Sequence, residues 1–283
     1  MKIDSFAFII GSMKCGTTYL FNYLAQHPDI APCEPKEPEF FTVNYDKGFD
    51  WYESLFSFEP ARHKIALEGS TGYTRYPDWY PNPAERIQAA NLKAKFIYVV
   101  RDPIERVESN YNFGVLHDWG RDRDILDYRA VHCSMYAMQL DEYMKRFAQE
   151  DILILRFDDI KANMPKVANQ VFQFLGLRQL DLQEAKEVVT AGRNHTAEQT
   201  AEYNFYYNLK QALPIKGLYQ KVVPHQMRVS FNRLFRRKLT RDVQRRMTSA
   251  EKQQLAQLLQ DDLARLQRHY QIDISPWSIA SML

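Results

Sequence analysis

Phe6-Ala7-Phe8-Ile9-Ile10-Gly11-Ser12-Met13-Lys14-Cys15-Gly16-Thr17-Thr18 joins an apolar run to a helix pattern through a loop with two glycines and a lysine. Phe6 to Ile10 has no polar side chain to face water, so it predicts a strand buried on both faces, as parallel sheets require. Thr18 to Gln26 sets Leu20, Tyr23 and Leu24 on one stripe and predicts a helix. A loop in that context turns backbone N–H groups toward one point, where the helix adds about half a positive charge. Lys14, Thr17 and Thr18 supply further donors. The order of strand, loop, lysine, hydroxyl pair and helix predicts an anion site, and a tight turn with a solvated lysine is the alternative.

The same alternation continues outward. Lys64 to Leu67, Phe96 to Val100 and Ile152 to Leu155 read as short strands, and Met135 to Phe147 as a helix. Asn82-Pro83-Ala84-Glu85, Asp102-Pro103-Ile104-Glu105 and Thr248-Ser249-Ala250-Glu251 each place a capping side chain three residues before a glutamate, the spacing of a capping box at a helix start. Strands alternating with helices predict an α/β fold of three layers, with right-handed crossovers and a mainly parallel sheet. Beyond Leu155 the pattern turns helical, over Val167 to Leu175, Glu202 to Leu209, Met227 to Leu239 and Ala250 to Tyr270. At 283 residues the chain is near the size at which single cores stop growing. It therefore predicts one domain over 1–283, with an α/β core over 1–180 that carries the anion site and a helical cover over 181–283.

Composition narrows the classes. With 45% hydrophobic, 13% aromatic and 25% charged residues the chain is neither disordered, collagenous nor a disulfide scaffold. No apolar run approaches the roughly 20 residues of a bilayer span, and Phe6 to Ile10 is too short for a signal-peptide core. The expectation is a cytoplasmic protein. Cys15, Cys33 and Cys133 are odd in number and widely spaced, so they read as reduced thiols, with no metal expected.

The loop is not the triphosphate version. In G-x-x-x-x-G-K-[ST] the lysine follows the second glycine, whereas here Thr17 follows Gly16 and Lys14 precedes it. A Mg²⁺ ligand is also missing after Val100, where Arg101 comes next and Asp102 serves as a cap. Arg101 falls where a strand ends, at the carboxyl edge that binds ligands in open α/β sheets, and Ser109 lies on the helix begun by Pro103. Together they could clamp a second phosphate; an arginine paired with neighbouring carboxylates is the alternative.

These two elements resemble the nucleotide-binding motifs of the sulfotransferases that use 3′-phosphoadenosine-5′-phosphosulfate (PAPS). The resemblance extends through Lys36-Glu37-Pro38-Glu39-Phe40-Phe41, Leu67-Glu68-Gly69-Ser70-Thr71-Gly72-Tyr73, Ser134-Met135-Tyr136 and Phe174-Leu175-Gly176-Leu177, and fades after about residue 180. It is strongest toward the heparan sulfate and bacterial carbohydrate branch, and it implies a P-loop-like fold. It further implies that Lys14 contacts the 5′-phosphosulfate, that Ser12, Cys15, Gly16, Thr17 and Thr18 complete the cradle, and that Arg101 and Ser109 read the 3′-phosphate. Glu37 takes the place of the catalytic general base, with Glu34 and Glu39 as rivals and a loop ion pair with Lys36 as the other reading. One departure stands out: where that branch carries Glu-Lys-Ser/Thr-Pro-x-Tyr, this chain has Gly69 in place of the lysine, so part of the charge stabilisation shifts to another cation. His27, His117, His132 and His195 match no base motif, and Arg193 matches the 3′-phosphate site only weakly.

The net charge of +2 hides an asymmetry. Residues 210–246 carry eleven lysines and arginines against Asp242 alone. Within them Met227, Phe231, Leu234 and Phe235 recur at helical spacing among Arg228, Arg233, Arg236, Arg237 and Lys238, a basic amphipathic helix over 227–239. It reads as a solvated face, as an attractor of an anionic acceptor, or as a peripheral contact with a membrane bearing a lipid-linked acceptor. No nucleic-acid module accompanies the charge, so no nucleic-acid partner is expected. The expected activity is sulfuryl transfer from PAPS to a small-molecule or glycan acceptor. The rivals are a P-loop nucleotide kinase or NTPase and a non-catalytic nucleotide-binding protein.

Overall fold

The computed structural model describes residues 3–78, 82–116, 123–180 and 245–283. The expected helices over 202–209 and 227–239, and the loop around Arg193, lie outside the described residues. Five strands form one parallel sheet: β1 (Ser5–Gly11), β2 (Ile30–Pro32), β3 (Ile65–Glu68), β4 (Lys93–Val100) and β5 (Ile152–Arg156), in the order β2-β3-β1-β4-β5. The four expected strands are present with ends shifted by up to three residues. β2 is additional; its three residues are too few to show a period.

The helices are α1 (Thr17–Leu24), α2 (Gly48–Glu53), α3 (Pro83–Ala89), α4 (Pro103–Leu116), α5 (Tyr128–His132), α6 (Tyr136–Met144), α7 (Phe157–Ala162), α8 (Met164–Phe174) and α9 (Ser249–Tyr270). Phe6, Phe8, Phe96 and Val99 on the two central strands are buried, and Phe8 stacks between Phe6 at 5.6 Å and Phe96 at 5.7 Å. From β1 the chain leaves through α1 toward β2 at one edge; from β4 it leaves through α4 to α6 toward β5 at the other. The directions diverge between β1 and β4. In open parallel sheets the crevice at such a point, outside the carboxyl ends of the strands, is where ligands bind.

The three expected capping boxes resolve differently. Thr248 and Glu251 form the full reciprocal box at α9. Asn82 caps α3 and Asp102 caps α4 through the Ala84 and Ile104 N–H groups, both at 2.9 Å. Their glutamates, however, are drawn elsewhere, Glu85 to Arg146 and Glu105 to Arg101, because an arginine within reach outcompetes a backbone N–H for a carboxylate. Among the described residues no helix is long and apolar enough to cross a membrane.

α9 packs on α6 and caps it from outside. Its buried Asp262 accepts from the Ala137 N–H at 3.0 Å and the Met138 N–H at 2.8 Å, the first orphan donors of α6. Burial pushes this carboxyl up to about 6, against the downward pull of those N–H groups. Asp262→Ala leaves two buried donors unsatisfied and is expected to cost about 2–4 kcal/mol in chemical denaturation, with Asp262→Asn losing less because the amide oxygen still accepts.

Candidate functional site

The loop after β1 is built on a bulge. Ile9 pairs with Ile97 and Gly11 with Tyr98, so one extra residue is accommodated at the strand end. Gly11 has φ 152°, and a Cβ there would fall 2.0 Å from the Thr74 hydroxyl, itself donating to the Ile10 carbonyl at 2.7 Å. The chain then turns on Lys14, at φ 72°, and Gly16, at φ 81°, which caps α1. Ser12 and Cys15 are drawn inward. The Ser12 N–H donates to Val99 and its hydroxyl to the Cys133 carbonyl, while the Cys15 N–H donates to Ser12 and its thiol is buried, raised to about 11 by that burial. Both were expected in the cradle, yet these donors are spent within the protein. Lys14, Gly16, Thr17 and Thr18 follow at the turn and the first turn of α1, whose first N–H groups have no partner within the helix.

Arg101 follows β4 and reaches across the crevice. Its Nη1 donates to the Lys14 carbonyl at 3.0 Å, Nε and Nη2 donate to Glu105 Oε2 at 3.0 and 2.9 Å, and its own carbonyl accepts from the Tyr136 hydroxyl at 2.7 Å. Along α4, residues 105, 109 and 113 follow at four-residue spacing and share one stripe. At its far end the Lys14 ammonium lies 3.9 Å from the centre of the Phe113 ring. Ser109 sits between these two contacts with the loop, half-buried on the same stripe. Burial, then the Arg101 charge, pushes the Lys14 ammonium down to about 8, against a smaller upward pull from Glu37.

That pull places Glu37 within electrostatic reach of Lys14. Its carboxylate is 42% exposed, pairs with Lys36 Nζ at 2.5 Å, and accepts from the Thr71 hydroxyl at 3.4 Å. Lys36 also donates to the Gly69 carbonyl at 3.0 Å, and a Cβ at Gly69 would lie 3.4 Å from its Cε. The lysine missing at position 69 thus has a neighbour, Lys36, lying over the vacated space. Of the rivals, Glu39 is nearly buried, its carboxylate held by the Gly72 N–H at 3.0 Å and the Thr42 hydroxyl at 2.7 Å, with burial raising its pKa. Glu34 is exposed. Glu68 is fully buried beneath, bonded to the Tyr52 hydroxyl and pushed up to about 7 by burial.

Of the histidines, His27 faces Arg178 O at 3.1 Å and packs on Phe172, a structural role as expected, while His132 lies 3.7 Å from Asp78. His117 and His195 lie outside the described residues. A cleft opens beside Met13, lined in part by Arg75, Asn110, Tyr111 and Arg123. Phe113 and Phe157, whose ring meets both Gly16 and Arg101, escaped the sequence reading, and Glu105, read as a capping glutamate, is instead the carboxylate partner of Arg101. Only the four-residue spacing from Arg101 could have pointed to Phe113.

A model of the sulfotransferase domain family matches residues 4–267. Human heparan sulfate glucosamine 3-O-sulfotransferase 3B1 is 30% identical over 190 residues, covering 62% of this chain and 46% of its own length. The membrane-associated sulfotransferase kil1 of Dictyostelium discoideum is 37% identical over 107 residues, 38% of this chain and 22% of its own. The chain thus spans less than half the length of these curated relatives. A sulfotransferase from Alicyclobacillus acidocaldarius shares the fold, with a TM-score of 0.65 at 20% identity over 96% of this chain and 97% of that one. With the family model covering almost the whole sequence, the chain belongs to the sulfotransferase domain family.

Proposed function

We propose that this protein transfers a sulfuryl group from PAPS to a hydroxyl or amine of a carbohydrate or other metabolite. The observation that carries the reading is the bond from the Arg101 guanidinium to the Lys14 backbone carbonyl, which ties two cationic residues together at the switch-point crevice, with the carboxylate of Glu37 on the loop that its pair with Lys36 anchors. Two cations at fixed separation suit a ligand with two separate anionic groups, the 5′-phosphosulfate at Lys14 and the 3′-phosphate at Arg101 and Ser109. The names of the relatives support a carbohydrate acceptor, and the cleft beside Met13 offers it an approach.

In this reading Glu37 removes the proton from the acceptor hydroxyl as its oxygen attacks sulfur. The S–O bond to the 5′-phosphate breaks in line, and its electron pair stays on the phosphate. Lys14 offsets the charge that develops there, and the N–H groups of Gly16, Thr17 and Thr18 hold the departing oxygens. Lys36 engages one Glu37 oxygen; the other accepts a long 3.4 Å bond from the Thr71 hydroxyl and keeps a second lone pair for the proton. The lysine placement within the loop disfavours the kinase or NTPase rival. A base beside the phosphate loop disfavours a silent binding protein.

Three measurements test this. In thermal-shift titrations, 3′-phosphoadenosine-5′-phosphate (PAP) is expected to raise the melting temperature with or without Mg²⁺ and more than ADP or ATP does; Mg²⁺-dependent preference for ATP would sink the proposal. The Lys14 ammonium titrates near 8 in the free protein, and a bound anion favours its charged form. PAP affinity should therefore be full below pH 8 and fall above it, with proton uptake on binding in calorimetry at about pH 8–9. Lys14→Ala is expected to weaken PAP binding at least tenfold, whereas Glu37→Gln should keep PAP affinity and lower kcat by about 10²- to 10⁴-fold. Near-normal turnover in Glu37→Gln would assign the base elsewhere.

A further inference from the structure

We infer that Phe157 is a positioning residue that couples the two phosphate-binding halves of the donor site, resting on the reading of Arg101 as the group that meets the 3′-phosphate. Phe157 opens α7 directly after β5, the neighbour of β4, at the same carboxyl edge as Arg101. Its ring is pressed against the phosphate loop: a Cβ on Gly16 would lie 2.4 Å from one ring carbon and 2.7 Å from the next. The Arg101 guanidinium packs 4.8 Å from the centre of the same ring. Phe157 is half-buried: it packs against the edge of the core and leaves part of its ring to the Gly16 and Arg101 contacts.

One rigid ring therefore touches the glycine that shapes the 5′ cradle and supports the cation assigned to the 3′ end. It limits how far Gly16 can drop toward β5, and it keeps the planar Arg101 head from swinging away. That second constraint matters because Arg101 has a competing partner. Glu105 already binds Nε and Nη2, and Lys161 Nζ lies 4.0 Å from the same Glu105 oxygen and 5.0 Å from the ring centre. Without the ring, Arg101 retains its bonds to Glu105 and to the Lys14 carbonyl but loses the flat surface that sets the tilt of its guanidinium beside Gly16. The consequence is specific: the gain in affinity that a 3′-phosphate confers shrinks, beyond any general loosening of the loop.

The readout is the ratio of the dissociation constants of AMP and PAP, which isolates the 3′-phosphate. Both are measured by competition calorimetry on the full chain. Phe157→Leu is expected to shrink that ratio about tenfold with a melting temperature within a few degrees of the parent, whereas Phe157→Tyr retains it. Phe157→Ala serves as the second truncation. A purely structural ring would lower the melting temperature and weaken both nucleotides alike, and an unchanged ratio in the folded truncation variants overturns the inference. Arg101→Ala separates the two layers. If it leaves the ratio intact, the Arg101 reading falls and the coupling with it; if it collapses the ratio while Phe157→Leu does not, only the coupling falls.

Discussion

The parallel pairing of β1 with β4 is the constraint on which the site depends. Their register sets Gly11 opposite Tyr98, so β1 delivers the phosphate loop and β4 delivers Arg101 at one height and on adjacent strands. The bulge between Ile9 and Gly11 absorbs the extra residue that turns the chain out of the sheet. Nothing flexible separates the two: the strands beneath are buried, and Ser12 donates its backbone N–H to Val99, two residues before Arg101. The Arg101 bond to the Lys14 carbonyl closes the frame from above. The register of the two strands thus fixes where the two backbones start, and the contacts above them fix where the side chains end.

That frame is electrostatically costly. Lys14 is held in a partly desolvated position beside a second cation, and its lowered pKa records both penalties. Glu37 relieves Lys14 in part and Glu105 pairs with Arg101, yet both carboxylates are shared with lysines, Lys36 and Lys161. The face of the Phe113 ring supplies a weaker attraction for the same ammonium. Arrangements of this kind gain from an anion, because a bound phosphate removes repulsion that the folded chain otherwise carries. The pattern extends to backbone conformation, since Lys14 adopts positive φ without being glycine.

How much of this was readable from the sequence follows from the range of each interaction. The strand, loop and helix at the start were legible because their parts are contiguous: an apolar strand, two glycines, a lysine and the threonine pair within thirteen residues. Arg101 was legible because a strand end marks it. The long helix near the C-terminus was legible from its period and its capping box. What escaped depends on tertiary neighbours. Ser12 and Cys15 fit the loop motif, and only the fold shows that the Cys133 carbonyl and the core claim them. Glu85 and Glu105 have capping spacing, but arginines brought close by the fold take them away. Phe157 lies more than fifty residues from Arg101 and carries no local mark, and β2 is too short to display alternation.

The C-terminal turn braces the crevice around Arg101 rather than lying apart from it. Asp102 caps α4 with one carboxylate oxygen and with the other accepts from the Ser278 N–H at 2.6 Å and the Ser278 hydroxyl. Trp277 donates to Asp158, next to Phe157, and its ring meets Tyr136 edge-on at 6.1 Å, the tyrosine whose hydroxyl holds the Arg101 carbonyl. Arg101 is thus held through its side chain by the loop and Phe157, and through its backbone by groups that the C-terminal turn braces. An arginine so enclosed loses little rotamer freedom when it meets a phosphate, because most of that freedom was given up on folding. The turn at Trp277 and Ser278 thus acts on the crevice by the same route as the sheet, by limiting where one guanidinium can go.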